Sequence, residues 1–503
     1  MAFDAEPSTL VELCLWQANQ RGEALAVWDE ATGLSYRELA RRSASLAAAL
    51  RENGVRAGDR VVLCGRNSVA WVEVAFATLF AGATLVPIGY GAPEAERARV
   101  VERVGPRLVV AVPGEGWPSA PTVLAPEELD SRRVAARPPH LPAADDVAVI
   151  LSTSGTTGEP KLVPMTHGQL ARCYGEVARR LQLRADDRLL GAVPLAHSFG
   201  LNGVLLIGLH AGAAIRLVPH YRAEGLSELV RGQRLTVIVG PPTIFFDLAA
   251  GDGKPVPGCR MAITGGADVS LRRMRQACSR AGIERMFVGY GLTETCGTVA
   301  VGEVPERGVG DLAKLTPLRD LEVQIVDEQG RPLPTGAEGR IWVRGHNVMP
   351  GYLHQEEATR RVLRGDGWLD TADIGRRYAD GDLSIASRAR DVVIVSGFNV
   401  YPREVEHVLV EHGSVAQAVV LGLPDERQGQ RLVACLVPAS GAVLDTRELL
   451  AYCRERLAAF KVPRTMITFE SLPTTETGKI SRPAVRRLLR QESRSAVRCC
   501  RGD

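Results

Sequence analysis

The sequence has no pair of cysteines at C-x-x-C spacing, although it contains ten cysteines in 503 residues. Structural zinc sites use cysteine pairs at such spacings, and disulfide frameworks are typical of small, cysteine-dense secreted domains, so neither is expected here. Two of the ten, Cys499 and Cys500, lie in a basic tail for which we predict no ordered structure. The cysteine pattern favours a reducing compartment, and we predict a cytoplasmic protein.

A large net charge and a long apolar segment are also missing. The formal net charge is only +3, which gives no reason to expect nucleic acid or a membrane surface as a partner. The most apolar stretch, 200–218, is interrupted by Asn202, His210 and Arg216, so no transmembrane segment is predicted. Residues 1–15 carry acidic residues and no basic residue, which does not fit a signal peptide.

Lysine is scarce, because five of the 61 basic residues are lysines and the rest are arginines. Arginine therefore serves wherever a general positive charge is sufficient. In our interpretation a remaining lysine lies more often than usual at a position that needs a compact ammonium group. Lys161 and Lys479 both lie in glycine-containing loops, which makes them candidates for a chemical role.

The chain is too long for a single core, and we expect a large domain followed by a smaller one. Up to Val299, short apolar strands such as Arg60–Cys64 and Thr84–Ile88 alternate with helices such as Val69–Phe80 and one near 203–209, which is typical of βαβ units around parallel sheets. Residues 114–145 are rich in Pro and Ala, which predicts a surface loop. Residues 310–382 change to alternating strands and turns, which predicts a β-subdomain. The predicted fold class is α/β, with a large N-terminal domain over 1–386, a hinge at 387–391, a small mobile α+β domain over 392–490 and a disordered tail over 491–503.

A loop of small and hydroxylated residues follows a buried strand. Val147–Leu151 is an apolar run of strand length, and residues 152–158 (STSGTTG) are followed by Pro160 and Lys161. Glycine lets the backbone turn several N–H groups toward one point, and such concavities bind anions. Five hydroxyl groups and an ammonium suit a polyphosphate, although the spacing is not that of a nucleotide P-loop. We interpret the segment as a phosphate loop; a flexible polar turn is the alternative.

Two further predicted strands end in small or polar residues. Met261–Thr264 is followed by 265–267 (GGA), and Met286–Val288 is followed by 289–295 (GYGLTET). Ligands of open parallel sheets bind beyond the carboxyl ends of the strands. These segments are therefore predicted to share a site with the phosphate loop.

Five motifs in this order resemble those of the adenylate-forming superfamily, which contains acyl- and aryl-CoA synthetases, nonribosomal adenylation domains and luciferases. They are LSTSGTTGEPK (151–161), YGLTET (290–295), GWLDTADIG (367–375), SRARDVVIVSGFNVYPREVE (387–406) and TETGK (475–479). The resemblance extends from Leu34 to about Arg490. It implies two steps: a carboxylate attacks the α-phosphate of Mg²⁺-bound ATP, and a thiol then displaces AMP from the acyl-adenylate.

The resemblance also implies roles for matching residues. Thr293 is expected to contact the α-phosphate, Glu294 to bind Mg²⁺ through a hard carboxylate oxygen, and Lys479 to bridge the substrate carboxylate and the α-phosphate. Tyr290 is expected to stack on adenine and Asp373 to accept hydrogen bonds from the ribose. The other expected contacts are Thr153, Ser154, Gly155, Thr156, Thr157, Gly158 and Lys161 for the β- and γ-phosphates; Gly265, Gly266, Ala267, Gly289, Gly291, Leu292 and Arg388 for the rest of the nucleotide; and Ser396, Gly397 and Phe398 for the pantetheine arm of CoA.

Three of these roles have a structural alternative. Glu294 can be a surface residue of a turn, Asp373 can cap a helix, and Lys479 can be a solvated loop lysine. Four positions also depart from the family motifs: Leu162 and Ala372 replace glycines, Ser387 replaces the glycine of the hinge motif, and Arg390 replaces its lysine. No charged group is lost, so we expect an active enzyme.

The acyl pocket is expected to form from 194–200 and 240–245 and to be closed by 289–299. His197 is expected to gate the pocket or to contact the carboxylate, with a packed structural histidine as the alternative. No Asp or Glu occurs from 188 to 223, and a buried substrate ammonium without a carboxylate partner is costly. We therefore predict an apolar carboxylic acid as the substrate rather than an α-amino acid.

The thiol is expected to come from a separate molecule, because too few residues follow Arg490 to form a carrier domain. Free CoA is the leading acceptor, and a stand-alone acyl carrier protein is the alternative. The sequence thus predicts an AMP-forming acyl-CoA synthetase that uses ATP, Mg²⁺ and CoA, as a monomer or a homodimer.

Overall fold

A computed structural model describes residues 6–111, 117, 120, 122–129, 139–153, 161–251, 254–265, 271–305, 313–388, 391–395, 398–425, 429–474 and 480–492. Its helices in chain order are α1 (Leu10–Arg21), α2 (Tyr36–Glu52), α3 (Val69–Phe80), α4 (Glu94–Val104), α5 (His167–Arg180), α6 (Ser198–Gly200), α7 (Ile207–Ala211), α8 (Leu226–Gly232), α9 (Pro242–Ala250), α10 (Leu271–Arg280), α11 (Glu356–Arg360), α12 (Pro402–Glu411), α13 (Thr446–Arg456) and α14 (Arg482–Glu492). Its strands are β1 (Leu25–Trp28), β2 (Gly33–Ser35), β3 (Arg60–Cys64), β4 (Thr84–Ile88), β5 (Leu108–Val110), β6 (Val123–Leu124), β7 (Val147–Thr153), β8 (Lys161–Thr166), β9 (Arg188–Gly191), β10 (Ala214–Leu217), β11 (Val237–Val239), β12 (Met261–Gly265), β13 (Arg285–Tyr290), β14 (Ala300–Val304), β15 (Thr316–Pro317), β16 (Glu322–Val326), β17 (Glu338–Arg344), β18 (Leu369–Arg377), β19 (Leu383–Arg388), β20 (Val393–Val395), β21 (Phe398–Val400), β22 (Val415–Asp425), β23 (Gly429–Pro438) and β24 (Thr465–Thr468).

Two mainly parallel sheets form the larger part of the chain. One has the strand order β6-β5-β3-β4-β7-β8, in which β8 runs antiparallel to β7. The other has the order β15-β14-β13-β12-β11-β9-β10-β1-β2, with antiparallel strands at both edges. Their central strands are short, apolar and buried, as expected for parallel strands with helices on both faces.

Helix α3 shows how the largest core is built. Eleven of its twelve residues are buried, and only Ala70 is exposed. Ser68 begins the helix by accepting a hydrogen bond from the Trp71 N–H at 3.1 Å. A helix that is apolar all round must be covered on every side, and α3 packs against α1, α2, β3 and β4. In the described part of the chain, no helix is both long and apolar enough to cross a membrane.

The remaining strands form two smaller sheets. Strands β16 to β19 make an antiparallel sheet, which is the predicted β-subdomain. The C-terminal sheet has the order β21-β20-β23-β22, and β24 pairs with β23. Helices α12 and α13 cover one face of this sheet, and α14 covers the other. The predicted fold class, with its β-subdomain and second α+β domain, is confirmed.

The small domain contacts the large one at α10. The Arg273 guanidinium donates to the carbonyls of Val415 and Ala416 at 2.8 and 3.0 Å. Arg272 lies 3.5 Å from the carboxylate of Glu411. A cleft of about 530 Å³ between α9, α10 and the end of α12 is lined by three arginines of α10. No described residue that we predicted for the active site lines this cleft.

Two elements differ from the sequence predictions. Val123–Leu124, in a region expected to be a loop, pairs in parallel with β5 as strand β6. The helix expected near 203–209 begins as a π-helix over Leu201–Leu206 and continues as α7. Both differences depend on backbone hydrogen bonding that leaves little trace in a hydrophobic pattern.

Candidate active site

The predicted phosphate loop is closed at its base by β7 and β8. Thr153, the last residue of β7, pairs with Lys161, the first residue of β8. Because β7 lies beside the parallel strand β4, this hairpin stands at the carboxyl edge of the six-stranded sheet. Lys161 is therefore held by a strand pair rather than by a free loop.

Glycines at the ends of β12 and β13 lie side by side. A Cβ on Gly265 would lie 2.8 Å from the carbonyl oxygen of Gly289, and one on Gly291 would lie 2.3 Å from that of Gly297. These two glycines are required by close packing of the protein backbone itself. A Cβ on Gly289 would lie 3.9 Å from its nearest neighbour, the carbonyl oxygen of Thr264. Of these three glycines, only Gly289 therefore leaves open space beside the backbone.

Asp373 is the centre of a first polar cluster. Its carboxylate is 2% exposed, accepts a hydrogen bond from the Tyr290 hydroxyl at 2.8 Å, and lies 2.8 Å from Nε of Arg388. Burial and the nearby negative charge of Asp373 raise the pKa of Tyr290, so its hydroxyl remains a donor. Asp373 lies within strand β18, so it does not cap a helix, which was the alternative role.

A bulge in β18 presents Asp373. Residues 371–373 of β18 lie opposite the single residue Ile341 of β17. Ala372 in this bulge has a φ of +56°, a left-handed conformation that glycine adopts at lower cost. The replacement of the usual glycine by Ala372 therefore preserves the bulge at a cost in conformational energy.

Glu294, Tyr352 and Lys161 form a second cluster. The Tyr352 hydroxyl donates to Oε1 of Glu294 at 2.7 Å, and Nζ of Lys161 lies 4.7 Å from the centre of the Tyr352 ring. Burial and the charge of Glu294 raise the pKa of Tyr352, which keeps the hydroxyl protonated. Sequence reasoning missed Tyr352, because its only signal was a tyrosine in a short M-P-G-Y segment after β17.

The segment from Tyr290 to Glu294 joins the two clusters. Its first residue contacts Asp373 and its last contacts Tyr352. Thr293, for which we predicted a contact with the α-phosphate, begins a 3-10 turn between them. One carboxylate and one cation thus lie at each end of this five-residue segment: Asp373 with Arg388, and Glu294 with Lys161. The first end suits a hydroxylated sugar, and the second suits a metal-bound polyphosphate.

The residues present fit a Mg²⁺ ion that is shared with phosphate. Across the described ranges, no group of three or more His, Cys, Asp or Glu residues could hold a metal ion. Protein-bound Mg²⁺ commonly has one or two carboxylate ligands and takes the others from water and phosphate oxygens. Glu294 can supply such a carboxylate, because Tyr352 contacts its Oε1 atom and no described residue donates a hydrogen bond to its Oε2 atom.

The replacements at Leu162 and Ser387 are accommodated by packing. Leu162 is fully buried in β8, and its carbonyl accepts a hydrogen bond from the Leu353 N–H at 2.9 Å. Ser387 is buried in β19, where it pairs with Ile374 of β18. Neither side chain displaces one of the charged groups described above.

His197 begins helix α6 beside the predicted acyl pocket. The Phe199 N–H donates to its Nδ1 atom at 3.1 Å, so this nitrogen carries no proton. A Cβ on Gly297 would lie 3.7 Å from Cβ of Ser198, the residue that follows His197, and 2.7 Å from the Tyr174 hydroxyl. The segments around His197 and Gly297 therefore converge, and the role of His197 in gating stays a prediction.

Of the three residues predicted to contact the pantetheine arm, the structure describes Phe398. It is 56% exposed and stacks on Phe460, with ring centres 4.7 Å apart. Helix α14 is described as far as Glu492, beyond the boundary predicted at 490. Outside the described residues lie Ser154, Gly155, Thr156, Thr157, Gly158, Gly266, Ala267, Ser396, Gly397, Lys479, the hinge residue Arg390 and the tail residues 493–503 with Cys499 and Cys500.

Comparison with known proteins identifies the family. A model of the AMP-binding enzyme family matches residues 14–353, and a model of the AMP-binding enzyme C-terminal domain matches residues 404–479. A feruloyl-CoA synthase of Amycolatopsis sp is 36% identical over 489 residues, covering 94% of this chain and 97% of that protein. A 3-[(3aS,4S,7aS)-7a-methyl-1,5-dioxo-octahydro-1H-inden-4-yl]propanoyl:CoA ligase of Rhodococcus jostii is 33% identical over 526 residues, covering 96% and 99%.

A solved structure extends the comparison to the fold. The O-succinylbenzoate coenzyme A synthetase of Bacillus subtilis, in complex with ATP and magnesium ion, has a TM-score of 0.82 and 27% sequence identity. The match covers 94% of this chain and 99% of that one. The chain therefore belongs to the AMP-binding enzyme family of the adenylate-forming superfamily, and it is an AMP-forming ligase.

Proposed function

We propose that this ligase activates a ring-bearing, largely apolar carboxylic acid with ATP and transfers the acyl group to CoA. The observation that supports it most directly is the segment from Tyr290 to Glu294, which contacts Asp373 at one end and Tyr352 at the other. The feruloyl-CoA and the octahydroindenyl-propanoyl:CoA ligases, by their names, act on acids that carry rings. The absence of acidic residues from 188 to 223 agrees with an acid that has no ammonium group.

In the first step a substrate carboxylate oxygen bonds to the α-phosphorus of ATP, and pyrophosphate leaves. Lys161 and the hydroxyl-rich loop would hold the β- and γ-phosphates, and Asp373 would accept hydrogen bonds from the ribose. Mg²⁺, when bound by Glu294 and the phosphates, would neutralise part of the triphosphate charge. The contribution of the protein is mainly to position two anions and to stabilise the charge that develops between them.

In the second step the sulfur of CoA loses its proton to solvent and bonds to the acyl carbon, and the bond from that carbon to the phosphate oxygen breaks, so that AMP leaves. We infer that this step needs another orientation of the small domain. The exposure of Phe398, a predicted pantetheine contact, supports this inference, because the ring does not lie in a closed tunnel in the present orientation. If Lys479 contacts the α-phosphate in the first step, as the family resemblance implies, turning the domain would remove it from the nucleotide for the second.

Pyrophosphate exchange across a panel of acids tests the proposal. Ring-bearing acids such as ferulate are expected to give the strongest exchange, and α-amino acids none above background. The reactive acids are then incubated with ATP and either CoA or a purified acyl carrier protein, and the thioesters are identified by mass spectrometry. A strong response to an α-amino acid, or a thioester on the carrier protein alone, would contradict the proposal.

A further inference from the structure

The position of Tyr352 points to a function beyond filling space. We propose that Tyr352 is a positioning residue that keeps the Lys161 ammonium and the Glu294 carboxylate from pairing with each other. Each charge then stays available, one to the phosphates and the other to Mg²⁺. This inference rests on the proposed function, because it concerns how the same site accepts magnesium-bound ATP.

Tyr352 offers a different surface to each charged group. Its hydroxyl donates to Oε1 of Glu294 at 2.7 Å, and the face of its ring lies 4.7 Å from Nζ of Lys161. The ring face attracts a cation, and the hydroxyl attracts a carboxylate. Both charged residues belong to the described part of the chain, and there no ion pair joins them directly.

The backbone inserts Tyr352 between the two groups. On one side, the N–H of the next residue, Leu353, donates to the carbonyl of Leu162, which directly follows Lys161. On the other side, the Met349 N–H donates to the carbonyl of Glu294 itself. The segment from 349 to 353 is thus bonded to both neighbours, and the ring between them is 6% exposed.

Without the ring, the two opposite charges would lie next to a space that either side chain can enter. Lysine is flexible enough to reach a nearby carboxylate, and a partly buried pair is stronger than an exposed one. Magnesium-bound ATP would then have to break this pair before it could bind. The expected consequence is weaker binding of the nucleotide that depends on the presence of Lys161.

Equilibrium binding of ATP in excess Mg²⁺, measured by calorimetry on the full-length protein, tests the proposal. Tyr352→Leu, which removes both ring and hydroxyl, is expected to weaken binding by about tenfold, and Tyr352→Phe, which keeps the ring, by less than about threefold. In a Lys161→Met background, where no pair can form, Tyr352→Leu should add less than about twofold. Tyr378→Leu is the matched control, because Lys314 lies 4.8 Å from that ring and pairs with Asp380, and none of these three residues is predicted for the site.

A purely structural role of Tyr352 would weaken binding equally whether Lys161 is present or replaced by Lys161→Met, and this result would overturn the proposal. Equal losses in Tyr352→Phe and Tyr352→Leu would also overturn it, because they would assign the whole effect to the hydroxyl. Circular dichroism and thermal melting identify a variant that does not fold. If Tyr352→Leu does not fold, Tyr352→Phe decides, because a loss of ATP binding above about threefold would overturn the proposal. Failure of the proposed function is separate: the wild-type protein would bind magnesium-bound ATP but give no exchange with any acid.

Discussion

Asp373 gives the sharpest test of the nucleotide site. Its carboxylate is almost completely buried and lies between the Tyr290 hydroxyl and the Arg388 guanidinium, each 2.8 Å away. If it accepts hydrogen bonds from the ribose, these bonds are charge-assisted. A hydrogen bond to a charged group contributes about 1.5–3 kcal/mol, which corresponds to roughly a 10–100-fold change in an equilibrium constant.

The perturbation has two parts, one in the protein and one in the nucleotide. The wild-type enzyme is expected to favour ATP over 2′-deoxy-ATP by roughly 10–100-fold in kcat/KM for pyrophosphate exchange. Asp373→Asn keeps the shape of the side chain but replaces the carboxylate by a neutral amide. The preference for ATP should then fall by roughly 3–10-fold, because a neutral hydrogen bond is roughly half as strong.

Asp370→Asn provides the control within the same strand. Asp370 also pairs with an arginine, since Arg340 lies 2.6 Å from its carboxylate, but it belongs to the opposite end of the bulge. This variant should retain the wild-type preference for ATP. If Asp373→Asn lowers kcat/KM equally for ATP and 2′-deoxy-ATP, Asp373 supports the fold of the site and does not contact the ribose.

Three further predictions concern the two half-reactions, the bulge in β18 and the buried His167. Lys479→Ala should slow pyrophosphate exchange by roughly 10²–10³-fold yet form thioester from pre-made acyl-adenylate at a near wild-type rate; equal loss in both assays would contradict domain rotation. Ala372→Gly should raise the free energy of unfolding in urea by about 0.5–1 kcal/mol, because it relieves the left-handed φ of +56°, whereas Ala386→Gly in β19 should lower it. Burial lowers the pKa of His167 to about 4 from an ordinary value of 6.5. As the pH falls, the unfolded state therefore binds a proton before the folded state does, and the free energy of unfolding should fall by up to roughly 3 kcal/mol from pH 6.5 to pH 4. Unfolding curves at both pH values measure this loss, which should be smaller in His167→Gln.

Much of the fold follows from local sequence patterns. Helix α3 has the bounds expected from its apolar run, Val69–Phe80, and strands β3 and β4 also match their predicted ranges. These elements could be predicted because hydrophobic periodicity and capping residues act over a few positions. The loop before Lys161 and the Y-G-L-T-E-T segment were recognisable for the same reason, since each is a continuous motif.

What the sequence could not supply is the set of contacts between motifs. Tyr290 and Asp373 are 83 positions apart, and Glu294 and Tyr352 are 58 positions apart. Neither pair has a periodicity or a spacing rule that would join its members, because the distance between them is set by how whole sheets pack. The sequence by itself determined which residues carry charge and which strands they follow. Only the tertiary structure decided that Tyr352 lies between Lys161 and Glu294, since that position depends on backbone hydrogen bonds from one segment to two others distant in the chain.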